Sequence, residues 1–94
     1  MKLESCRRLK NGRVIMLTEE EKKLYKTISE RIRMARDLRG FNNVTLAEAS
    51  GLPINSIQHY TLGRHMPRVE SLVKLCDTLE CSTDFILGRV SFRD

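Results

Sequence analysis

A chain of 94 residues can bury one small hydrophobic core, but it has no room for a catalytic domain joined to a sensor domain. At 40% hydrophobic and 31% charged residues its composition is that of a soluble protein, and no apolar run approaches the ~18 residues of a membrane span. The net charge of +5 is uneven: residues 1–40 hold 12 Lys or Arg against 6 acids, whereas residues 41–94 hold 5 against 6.

Residues 1–16 show no clear period and are expected to be a flexible basic tail; Met16, placed just before a strong helix start, also allows them to be a leader. The longest apolar run there, Val14 to Leu17, is too short for a signal peptide, which places the protein in the cytoplasm. At Thr18 the run Thr-Glu-Glu-Glu forms a capping box with Glu21 and puts acids at the positive end of a helix. Leu24, Ile28, Ile32, Ala35 and Leu38 then recur at three- and four-residue steps, up to a stop at Gly40. This first helix is the long one, and its Lys and Arg residues are either a solvated face or part of a binding surface.

Asn42 or Asn43 caps a second helix with Leu46 and Ala47 inward, which stops at Gly51. Pro53 sets φ for a third, with Ile57 and Tyr60 on its apolar face and Gly63 at its end. Both are shorter than the ~12 residues at which an isolated helix becomes marginal in water, so packing must hold them. Pro67 opens a fourth helix with Val69, Leu72, Val73, Cys76 and Leu79 inward. Ser82 caps a short fifth, in which Phe85, Ile86 and Leu87 close the core before Gly88. The expectation is an all-α domain over residues 17–88 with five helices and no sheet, followed by a short tail, 89–94.

Cys6, Cys76 and Cys81 are odd in number and include no C-x-x-C pair, so neither a disulfide framework nor a zinc site fits, and the later two read as thiols in or beside the core. His59 and His65 add no metal reading, since a spacing of six sets them on different faces or on opposite sides of a turn. There is no carboxylate pair, no nucleophile with a base and no Gly-rich phosphate loop, so the chain reads as a non-enzyme without cofactors.

Two short helices crossing steeply need a small residue at the crossing, a residue tolerant of positive φ in the turn, and an aliphatic lock on the second helix. Ala47, Gly51 and Ile57 fit these roles, supported by Leu46, Leu52 and Tyr60, and the pattern is a helix-turn-helix. No acid occurs between Glu48 and Glu70, a window that holds His59, Arg64, His65 and Arg68; a surface free of negative charge is what a phosphate backbone requires.

Along "ISERIRMARDLRG", "LAEASGL", "SIQHYTLGRHMP" and "VESLVKLCDTLECSTDFILG" the chain resembles, helix by helix from Ile28 to Gly88, the phage-repressor and Cro type of helix-turn-helix regulators. The resemblance implies a lambda-repressor-like bundle whose third helix enters the DNA major groove, and a homodimer that sets two such helices on half-sites about 34 Å apart. It maps base reading onto Ile54, Asn55 and His59, with Gln58 adjacent: Asn55 suits adenine, His59 guanine and Ile54 the thymine methyl. Asn43 matches the position of a phosphate-binding Gln. Arg64, His65 and Arg68 look like backbone contacts, Arg68 alternatively a minor-groove contact. The chain departs from the family at Thr61, where a Glu commonly pairs with the Arg that Arg36 matches, which would free Arg36 for phosphate; at Ser50, usually apolar; and at Pro53, usually a Ser or Thr cap. The implied function is a sequence-specific repressor of double-stranded DNA. The competing reading is an antitoxin or regulator-antagonist that holds a protein partner through Ile54 and Met66. The dimer interface is open between the last helix, with Val90 and Phe92, and the first.

Overall fold

The computed structural model describes Leu9–Lys10, Arg13–Val14 and residues 17–90. The expectations for Cys6, Met16 and Phe92 lie outside the described residues. Strands β1 (Leu9–Lys10) and β2 (Arg13–Val14) pair antiparallel, Leu9 opposite Val14 and Lys10 opposite Arg13. This small ladder falls in the segment expected to be a tail. The domain itself is an all-α bundle of five helices: α1 (Glu19–Leu38), α2 (Asn43–Ser50), α3 (Ile54–Leu62), α4 (Val69–Leu79) and α5 (Thr83–Ile86).

Capping sets the boundaries. Thr18 Oγ1 accepts from the amide of Glu21 at 3.1 Å while Glu21 Oε1 accepts from the amide of Thr18 at 2.9 Å, so α1 begins with the expected reciprocal box. Of the two asparagines offered for α2, Asn42 is the cap. Its Oδ1 accepts from the Thr45 amide at 2.8 Å, and Thr45 Oγ1 accepts from the Asn42 amide at 2.9 Å. Thr45 thus takes the place usually held by Glu or Gln, which is why the sequence pattern hid the second box. Ser82 caps α5 through the Phe85 amide.

The core is Ile28, Ile32, Ala35, Leu46, Ala47, Ile57, Tyr60, Leu75, Cys76, Leu79 and Ile86. Helix α1 packs on α3 and α5, α2 packs on α3 and α4, and α4 packs on α5. Two parts of the expected core are corrected. On α1, Leu24 and Leu38 stand at the ends of the stripe and are 44% and 65% exposed. On α4, Val69 and Val73 are 79% and 47% exposed, and the inward face is instead Ser71, Leu75, Cys76 and Leu79, flanked by half-buried Leu72. The segment VESLVKLCDTL carries apolar residues on more than one face, so its period alone does not select the side that meets α2.

Arg31 of α1 and Arg39, the residue that caps its carboxyl end, fasten the far end of the bundle. Arg39 donates from Nε to the Leu79 carbonyl at 2.8 Å and from Nη2 to that of Glu80 at 3.1 Å, tying down the end of α4 where Glu80 takes φ +55°. Arg31 donates from Nη1 to the carbonyls of Phe85 and Val90, both at 3.0 Å, with its guanidinium carbon 4.7 Å from the Phe85 ring centroid.

Cys76 and Cys81 are free thiols, the first buried and the second half-buried, joined by a backbone bond from the Cys81 amide to the Cys76 carbonyl at 3.1 Å. Burial pushes the Cys76 thiol up to about 12 from an ordinary 9.0, and the neighbouring Cys81 and Asp77 act in the same direction.

The α4 register makes a first test. Leu75→Ala is expected to cost about 2 to 5 kcal/mol in urea unfolding, and Val69→Ala less than about 0.5 kcal/mol; equal costs would return Val69 to the core. The thiol makes a second. Above about pH 9 the unfolded chain loses a proton that folded Cys76 keeps. The thiol's contribution to stability is therefore complete below pH 9 and lost as pH rises toward 12. Unfolding free energy of the native chain should consequently fall more steeply between pH 8 and 11 than that of Cys76→Ala.

Candidate nucleic-acid interface

Helices α2 and α3 meet across Gly51, Leu52 and Pro53. Gly51 takes φ +78°, ψ 15° and donates its amide to the Ala47 carbonyl at 2.9 Å, ending α2 in a left-handed cap. Ser50, unusual for the family as a polar residue, closes the turn: its Oγ donates to the Ala47 carbonyl and accepts from the Leu52 amide, both at 3.4 Å. Pro53 holds φ −62° and ψ 144° and offers no side-chain cap, so the amides that open α3 meet no side-chain acceptor. The amino end of α3 is therefore a positive dipole end left open to an external acceptor.

The carboxyl end of α3 is closed by contrast. Gly63 turns the chain at φ +76°, and a Cβ there would stand 3.4 Å from Ser29 Oγ. The Arg33 guanidinium donates from Nη1 to the Thr61 carbonyl. Thr61 is buried and its Oγ1 donates to the Gln58 carbonyl at 3.1 Å. Sequence reasoning missed both the Arg33 tie and the burial of Thr61; the adjacent Ile57 and Tyr60 already mark that side of α3 as inward. Leu46 and Ile57 are fully buried, Ala47 and Tyr60 are buried, and Leu52 packs partly against the core.

The base-reading set divides. Asn55 and Gln58 are exposed on α3. Ile54 and Met66, both expected as outward apolar contacts, are half-buried and pack partly against the core. His59 is half-buried, its Nδ1 enclosed and without a hydrogen-bond partner. Arg64, His65 and Arg68 are exposed, Arg68 as the residue that precedes α4. His59 and His65, expected to be separated, lie together: ring centroids are 4.7 Å apart with planes at 84°. The left-handed Gly63 folds the chain back, and the amides of Arg64 and His65 both reach the His59 carbonyl, at 3.0 and 3.5 Å. Among the described residues no three His, Cys, Asp or Glu side chains gather as a metal site would require.

Arg36 is not free. Its Nη1 donates to Asn43 Oδ1 at 2.9 Å and its Nε to Asp37 Oδ1 at 2.9 Å. Because a guanidinium only donates, it claims the oxygen of the Asn43 amide and turns the NH2 group of that side chain away from itself as a donor. Arg36, Asp37, Asn42 and Asn43 line a shallow depression of about 440 Å³ with Phe41 and Val44 at the start of α2.

The α2–turn–α3 unit, braced by α1 and α4 and presenting the amino end of α3, is the motif of a regulator of the phage-repressor and Cro class. A family model described as helix-turn-helix matches residues 32–86, more than half of the chain. The chain belongs to the helix-turn-helix family, in its phage-repressor and Cro branch. It is similar to the cryptic phage CTXphi transcriptional repressor RstR of Vibrio cholerae serotype O1, with 34% identity over 62 residues that cover 66% of this chain and 55% of that protein. The match thus spans about half the length of that relative. Among solved structures it is similar to the hypothetical transcription factor NHTF from Neisseria, at TM-score 0.66 and 18% identity over 80% of this chain and 88% of that one, a likeness of fold. No helix among the described residues is long and apolar enough to cross a membrane.

The turn supplies a third test. Nothing lies within 4 Å of a Cβ built on Gly51, so a substitution there meets only the cost of positive φ. Gly51→Ala should cost about 1 to 2 kcal/mol, and Gly51→Asn less, because asparagine tolerates the left-handed region; the two variants unfolding alike would mean that crowding sets the cost.

Proposed function

We propose that the protein is a sequence-specific DNA-binding transcriptional repressor that grips an inverted-repeat operator as a homodimer, with α3 in the major groove of each half-site. The observation that carries this reading is the asymmetry of α3: its carboxyl end is fastened to α1 by Gly63 and Arg33, whereas its amino end is uncapped and presents Asn55 and Gln58 to solvent. An exposed Asn on a helix lying in the groove matches the adenine edge in two hydrogen bonds. The Asn43 amide, turned outward by Arg36, suits a phosphate oxygen at the start of α2, and Arg64 and Arg68 extend the backbone contacts on the far side of α3. The match to a phage repressor over two thirds of the chain supports repression over activation.

Leu24, Met34 and Leu38 supply a face for the second copy. They are 44%, 38% and 65% exposed, and at about 100° per residue they fall within about 80° of one another around α1. The protein-partner reading is the less supported, since Ile54 and Met66 are half-buried and pack partly against the core.

Selection from a pool of random duplexes at fixed salt should enrich an inverted repeat whose half-sites are centred one helical turn apart. Asn55→Ala should weaken binding to that duplex by about 5- to 100-fold and blur one adenine per half-site. Arg64→Gln should weaken binding to all duplexes alike and lower the slope of log K against log salt by about 0.9 for each phosphate the protein no longer neutralises. Enrichment of no sequence would overturn the reading.

A further inference from the structure

Nδ1 of His59 is the one side-chain nitrogen or oxygen among the described residues that is both buried and without a hydrogen-bond partner. A neutral imidazole carries its proton on one nitrogen and a lone pair on the other. Enclosing an N–H with no acceptor forfeits a bond that water would supply, whereas an unmet acceptor is the better tolerated of the two. The enclosed Nδ1 is therefore the bare nitrogen, and the proton sits on Nε2, at the other edge of a ring that is only half-buried. His59 then faces outward as a single donor.

The ring packed against His59 is that of His65. Its ring stands at 84° to the His59 ring with centroids 4.7 Å apart, an edge-to-face contact. Its backbone is tethered by the amides of residues 64 and 65 bonding to the His59 carbonyl, so the loop cannot swing away without breaking the end of α3. A half-turn of the His59 ring about its Cβ–Cγ bond would exchange the Nδ1 edge for a C–H edge and move the outward donor.

We propose, resting on the DNA-binding reading above, that His65 is a positioning residue. Packed edge-on against His59, it holds Nε2–H in one direction, toward an acceptor on a purine edge in the major groove, N7 or O6 of guanine. This replaces the expectation that His65 is itself a phosphate contact. A major-groove donor of fixed direction discriminates guanine from cytosine, which presents a donor there instead.

The test uses the full chain and the duplex enriched from the random pool, beside copies carrying 7-deazaguanine or cytosine at each guanine of the half-site in turn. Native protein should lose about 5- to 10-fold in affinity at one such guanine, and His59→Ala should be indifferent to the same replacement. His65→Ala should lose most of that discrimination while its salt slope stays native, and His65→Phe, which keeps a ring but no N–H, should restore it. If His65→Ala instead weakens every duplex equally and lowers the salt slope, or if His65→Phe behaves as His65→Ala does, the positioning role is overturned. If Asn55→Ala still blurs its adenine while no guanine responds to His59→Ala, the His59 assignment alone fails. A pool that yields no enriched sequence overturns the DNA-binding reading and this one with it.

Discussion

Ile57 and Leu46 have no exposed surface, and the arrangement of the interface depends on that burial. Helices of eight and nine residues do not persist in water, because too few propagation steps follow a costly nucleus. Each fully buried aliphatic contributes roughly 1.5 to 3 kcal/mol of transfer free energy. Placed between α1 and α4, these two side chains convert fragments that would fray into a rigid pair with one allowed crossing. Ala47, a small residue, is buried in the same core, and the left-handed Gly51 turns the chain from α2 toward α3.

Once the pair is rigid, the treatment of the two ends of α3 decides what it can do. The carbonyl end is negative and would repel phosphate; Arg33 covers it, and Gly63 presses it onto Ser29 of α1. The amide end is positive and stays uncapped, because proline supplies a helical φ but no acceptor. A helix anchored by its tail and open at its head can offer short polar side chains to an external surface without losing its own position. The same logic holds for α2, where Arg36 is tied to Asn43 and so sets which half of that amide faces out.

Most of this was legible in the chain. The capping box at Thr18, the stripe Ile28–Ile32–Ala35, and the roles of Ala47, Gly51 and Ile57 are local patterns, written in side-chain spacing and in residues that tolerate special backbone angles. What escaped depends on contacts distant in sequence or on chain reversal. The register of α4 is chosen by the surface it meets, since apolar residues surround that helix and both Val69 and Leu75 fit a helical period. Exposed Leu24 and Leu38 continue a correct stripe past the edge of the core. A helical spacing would set His59 and His65 far apart, but Gly63 ends the helix between them and the loop returns over α3.

Of the three departures from the family pattern, the one at Thr61 bears on how α3 is held. Where a Glu on α3 would hold the arginine at position 36, this chain has Thr61, which is buried and spends its hydroxyl on its own helix. A carboxylate at so enclosed a site needs the arginine beside it to offset desolvation. Threonine makes no such demand; here Arg36 donates to Asp37 and Asn43, and Arg33, one turn earlier on α1, donates to the Thr61 carbonyl at the end of α3. The two arginines of α1 therefore make bonds of different purpose, one that holds α3 and one that engages the side chain at the start of α2. Helix α3 is thus anchored to α1 through a backbone carbonyl, and the Asn43 amide at the start of α2 is held by a second guanidinium.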